Sequence, residues 1–241
     1  MSVIVRPERI ALLFALVAFS LASISITGQV VRYSLNGENL WGLVNLFNVD
    51  SENNIPTFYS GFILFLCSIL LVLVALAKQQ LKDRFTIHWW SLAIVFLYLS
   101  LDELLGIHEL INRKLGKKTY LWQSGPWDTL NSVLLSVSVL VYMKFFLHLP
   151  PKTQRLFFLS GSLFVLGAIG IELVGVRFFS DIYHAQNLIA EVITTIEELL
   201  EMIGITIFIY AILAYISEAL NGINISIGKS ISSMRNEPIT K

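Results

Sequence analysis

Six mostly apolar runs, each long enough to cross a bilayer, dominate this chain of 241 residues. A transmembrane helix needs about 20 predominantly apolar residues. The runs are Ile10 to Ile26, Phe58 to Ala77, Trp89 to Ile107, Leu130 to Leu149, Leu156 to Val176 and Leu199 to Ile216. The last has an amphipathic lead-in from Asn187 to Glu198. The expected fold is an all-α integral membrane bundle of about six transmembrane helices. Residues 1–220 form one polytopic domain, and 221–241 form a polar cytoplasmic tail.

Composition agrees. Charged residues make up 14% of the chain and the mean hydropathy is +0.71. A soluble domain carries about a quarter charged residues, so this chain lacks the charge to cover a water-facing surface. Net charge is zero, which gives no footprint for nucleic acid. The single cysteine, Cys67, lies inside an apolar run and reads as a small buried hydrophobe. Arg6 and Arg9 ahead of the first run also fit a signal peptide, but no clean A-x-A cleavage pattern follows.

Basic residues orient the bundle. Threading the runs back and forth puts 11 Lys and Arg on the side of both termini and 6 on the other. Both termini are therefore expected in the cytoplasm, and a bacterial plasma membrane is the expected location. Lys and Arg at 113–118 form the one dissenting loop. In the same frame only 4 acids are cytoplasmic, and 13 fall on the outer side.

Helix rise places three of these acids at one depth. Asp102 lies roughly 20 Å from the cytoplasmic edge of its run, Glu172 roughly 24 Å and Glu201 roughly 22 Å. His108 and Glu198 come out one layer higher. Asp102 and Glu109 are seven apart, hence on one face if the helix continues. Glu191, Thr194, Glu198 and Glu201 form a stripe spaced 3, 4, 3 on the sixth helix, with Glu197 at its margin. Such a stripe must face protein or water. No Lys or Arg sits at this depth in the third, fifth or sixth run. The acids therefore hold protons, hold a metal, or line a wet vestibule.

A metal is the leading expectation. Inward-facing Glu and His from several helices hold metals in helical bundles. The expected ligands are Asp102, His108, Glu172, Glu198 and Glu201, with Glu109 in an outer shell or as the catalytic proton acceptor. One nitrogen and many oxygens suit a divalent ion such as Fe, Mn, Zn or Ca. The motif itself is weak, because neither E-x-x-H nor H-E-x-x-H is present. Each group also has a plainer reading, as a solvated acid at a helix end or an interfacial histidine. His88 and His148 read as boundary anchors, and His184 as a loop residue. Gly161, Gly167, Gly170 and Gly175 read as close helix packing.

Three function classes compete. The first is a metal-dependent membrane enzyme acting on a lipid or lipophilic substrate near the outer leaflet. The second is a cation- or proton-coupled transporter or channel. The third is an assembly subunit of a membrane complex. The lipid bilayer is the expected partner in all three. Ceramidase-like and progestin-receptor-like hydrolases require a spaced histidine pair on their last helix. This chain has four histidines in all and none in its sixth run, so no family is assigned.

Overall fold

The computed structural model describes residues 6–34, 42–107, 110, 137–138, 140–171 and 188–220. Among these the regular structure is helical, with no strand. The helices are α1 (Pro7–Ser34), the short α2 (Leu43–Phe47), α3 (Ile55–Gln80), α4 (Thr86–Leu105), α5 (Pro151–Val165) and α6 (Leu188–Ala219). A further helical stretch covers 140–148, and a π-helical turn, Leu166–Ile171, extends α5.

Among the described residues four helices are long and apolar enough to cross a membrane: α1, α3, α4 and α6. The fourth expected run, Leu130 to Leu149, lies partly outside the described residues. So do the tail from 221 and Gly175. The fifth run appears as α5 and its π turn.

The helices outrun the apolar runs because local chemistry, not hydropathy, sets their ends. Pro7 opens α1, where a missing N–H costs nothing. Asn54 caps α3, its side-chain oxygen accepting the Thr57 N–H at 3.1 Å. Pro151 starts α5 five residues ahead of the apolar run. The amphipathic lead-in and the sixth run form one continuous helix of 32 residues. The third run ends early. Gly106 takes the left-handed conformation (φ 57°) and its N–H bonds back to the Asp102 carbonyl, a glycine C-cap. α4 therefore ends at Leu105, while Glu109, expected on the same face as Asp102, lies outside the described residues.

α6 is the hub. It packs against α1, α3 and α5, while α4 packs on α3. Met202, Ile205, Ile209 and Ile212 of α6 meet Ile63, Leu71 and Val74 of α3 in the core. Phe208 stacks on Phe96 of α4 at 4.6 Å between ring centroids. Buried hydroxyls tie antiparallel pairs together. Ser100 donates to the Gly61 carbonyl and Ser160 to the Gly204 carbonyl, both at 2.8 Å. Gly204 lets α5 and α6 touch, since a Cβ there would lie 2.9 Å from the Phe164 nitrogen. Gly167 plays the same part near the acids, but Gly161 does not, because a Cβ there meets nothing within 4 Å. Cys67 is a fully buried free thiol, as its apolar setting implied.

Candidate functional site

The acidic end of the bundle is built from the last turns of α1 and α4, the first turns of α6, and the loop over 48–54. That loop is clamped. The Val49 N–H donates to the buried Ser25 hydroxyl of α1 at 3.2 Å. The Asn48 side chain accepts the Asp50 N–H at 3.2 Å and donates to the Ser51 hydroxyl at 3.0 Å. The Asn54 amide donates to the Asn48 carbonyl at 2.6 Å, and the Thr57 hydroxyl to the Ser51 carbonyl at 3.1 Å. Asx and hydroxyl turns of this kind hold a loop without regular structure. They hold the backbone at Asp50, whose side chain is itself exposed; partial loss of water there raises its carboxyl above the usual carboxylate range.

Glu198 is the centre of the acids. The charges of Glu201, Glu103, Asp50 and Glu197 all bear on it. They come from α6, α4 and the clamped loop. Asp50 also bears on Glu191, and the positive charge of Arg32 at the end of α1 acts against both desolvation and Asp50 there. Gly167 brings the π turn of α5 onto this part of α6. A Cβ there would stand 2.7 Å from the Glu197 carbonyl and 2.8 Å from Cγ of Glu201.

The expected site residues fare unevenly. Glu198 and Glu201 lie within the cluster, both half-buried. Asp102 is also half-buried, and its charge bears on Tyr98 one turn back. The α4 acid whose charge reaches Glu198 is its neighbour Glu103. His108, Glu109 and Glu172 lie outside the described residues, as does His184. The expected stripe of Glu191, Thr194, Glu198 and Glu201 is half-buried throughout, whereas Thr195 and Glu197 are the buried polar positions of that turn. Two residues apart, Thr195 and Glu197 lie about 200° from each other and flank the half-buried stripe on its two sides. Among the described residues no three His, Cys, Asp or Glu side chains are grouped to hold a metal ion.

Asp50, Glu103 and Glu197, the last expected only at the margin of the stripe, are the members outside the expected ligand set. Asn48 and Asn54 flanking Asp50 were the available signal for a structured turn. Gln29 of α1 was missed as well. It is 1% exposed, and neither atom of its amide has a hydrogen-bond partner. It lies one turn past Ser25 and one turn before Arg32, on the buried face of α1.

At the opposite end, Lys78 pairs with Asp83 at 3.0 Å. Asp83 loses water there, yet the Phe85 N–H and the Lys78 ammonium hold its carboxyl below the usual range. The histidines expected as anchors sit here. His88 stacks on Phe145, and His148 packs on Phe85 and meets Arg84 at 3.3 Å.

Residues 9–216 match the model of a protein family described as "Domain of unknown function (DUF8692)". No curated protein and no solved structure matches the chain.

Proposed function

The chain belongs to the DUF8692 family, and from its own residues we propose that it is an integral membrane protein whose outer-half carboxylates take up protons or another cation in a coupled transport cycle. The six-span arrangement, cytoplasmic termini and a bacterial plasma membrane belong to this reading.

One observation carries it: four carboxylates from three chain segments bear on Glu198. Acids crowded together away from water do not all stay ionised; they hold protons or a cation. Polar groups continue inward from the cluster. Thr206, five residues past Glu201, is buried, its hydroxyl without a hydrogen-bond partner among the described residues, and the Tyr59 hydroxyl donates to the Phe14 carbonyl at 2.6 Å. That step is about 7.5 Å along α6.

A second reading has one observation in its favour. Gly167, five residues ahead of Glu172, packs on Glu201. A divalent metal (Fe, Mn, Zn or Ca) held by Glu198 and Glu201 with His108, Glu172 and Asp102 would serve a membrane enzyme acting on a lipid, through a metal-bound water.

Two measurements on the detergent-purified protein separate these. Infrared difference spectra between alkaline and neutral pH are expected to show a protonated-carboxyl band that Glu198→Gln removes. Elemental analysis is expected to find no stoichiometric metal. Near-stoichiometric metal in the wild type, lost in Glu198→Gln, would replace the proton reading with the metal one. No protonated-carboxyl band and no metal would sink both.

A further inference from the structure

A cavity of about 230 Å³ opens at the basic end of the bundle, about 26 Å along α6 from Glu198. It is independent of the acidic cluster. Five parts of the chain close it. Lys78 comes from α3, Asp83 and Phe85 from the following turn, Trp89 from α4, His148 from the stretch over 140–148, and Tyr215 from α6.

The floor is apolar. Trp89 is 1% exposed and stacks on Tyr215 at 5.1 Å between centroids. The polar groups gather at the mouth. Lys78 stands 5.6 Å from the Tyr215 ring centroid, and Arg84 lies over Phe85 at 4.7 Å. A guanidinium has only donors, so its contact with His148 Nδ1 at 3.3 Å makes that nitrogen the acceptor. His148 then carries its proton on Nε2, as a further donor.

The one acid lining the mouth is already engaged. Asp83 Oδ1 accepts the Phe85 N–H at 2.8 Å and Oδ2 accepts Lys78 at 3.0 Å. Arg84 is not itself a lining residue but sits on two that are, Phe85 and His148, and adds the positive charge that the Lys78–Asp83 pair alone lacks. Lys78 and Arg84 still have N–H groups to spare, since each has one hydrogen bond to these partners and carries several donors. Donors of this kind over an aromatic floor, at helix ends where a membrane surface lies, match the chemistry of a phosphate group. Basic pockets between transmembrane helices recognise anionic headgroups in this way.

We propose that this cavity binds a phosphate-bearing anion, supplied as the headgroup of an anionic membrane lipid. Native mass spectrometry of the full chain tests it, with phosphatidylglycerol and phosphatidylcholine of identical acyl chains added in equal amounts. Phosphatidylglycerol is expected to be retained in preference. Arg84→Gln, at an exposed position that leaves the core intact, is expected to weaken its retention about fivefold, the effect of one basic residue at an anionic surface. Phosphatidylcholine should not change. Lys152→Gln removes another exposed cation, which is paired with Glu218 rather than with a residue of the cavity wall. It should leave retention as in the wild type. Equal retention of the two lipids, or equal losses in the Arg84 and Lys152 variants, would overturn the site in favour of a general surface charge. Glycerol phosphate serves as the soluble probe. If it displaces phosphatidylglycerol at low concentration, the phosphate site stands but its ligand is soluble, and the lipid assignment falls.

Discussion

The backbone N–H of Val49 donates to the hydroxyl of Ser25, 24 residues earlier, at 3.2 Å in the buried interior. Ser25 is 2% exposed. This bond ties the loop carrying Asp50 to α1 and so sets one wall of the acidic cluster. Ser25→Ala leaves a buried N–H without its acceptor, which costs roughly 1–3 kcal/mol. The melting temperature in detergent should fall accordingly. An unchanged midpoint would mean that the loop is held by its own turns alone.

Gly167 and Gly161 make a matched pair on the α5 side of the bundle. Gly167→Ala forces a methyl to within 2.7 Å of the Glu197 carbonyl. Overpacking of this kind costs about 1–3 kcal/mol. Gly161→Ala meets open space and should be neutral or up to about 1 kcal/mol stabilising, through helix propensity. Thermal unfolding of the two variants side by side checks the contrast. Equal destabilisation would contradict the close approach of α5 to α6.

The carboxyls of Asp50 and Asp83 shift in opposite directions, so their pH effects have opposite signs. Asp83 is favoured as the anion in the fold. The stability it adds is present above the unfolded value of about 3.9 and is lost as pH falls through its lower folded value. Asp83→Asn should therefore be less stable than wild type at neutral pH, and the gap should close at strongly acid pH. Asp50 is disfavoured as the anion. Its penalty is present above its raised folded value and disappears below about 3.9. Asp50 is exposed, so water screens this penalty, and Asp50→Asn should be at most slightly more stable than wild type at neutral pH and equal to it in acid. Melting curves across the acid range test both signs.

Gln29 carries a buried amide with no partner on either atom. An unpaired buried amide costs roughly 1–3 kcal/mol. Gln29→Met, which keeps length and removes both polar atoms, should raise the melting temperature. A lower midpoint would show that the amide has a bonding role in the folded protein.

Hydropathy and turn chemistry are local properties, and they made the class of this protein legible from its residues. Apolar runs gave the places of α1, α3, α4 and α6, Pro150-Pro151 the break before α5, and the segregation of charge an acidic and a basic end. Local signals even held information not extracted from them: Asn54 marks the start of α3, and Gly106 stops α4 before Glu109. Contacts between distant segments are a different matter. Helix rise placed Glu201 and Glu198 at the right end, but the facing of α6 depends on which helices surround it. Three partners, α1, α3 and α5, turned Glu197 and Thr195 inward. Register one residue along α4 decided that Glu103 reaches Glu198. A hydroxyl on α1 decided where Asp50 sits. None of these follows from spacing, because a helix of near-uniform hydrophobicity, as α6 is, has no strong polar face to announce its own orientation. Only packing against its neighbours settles it.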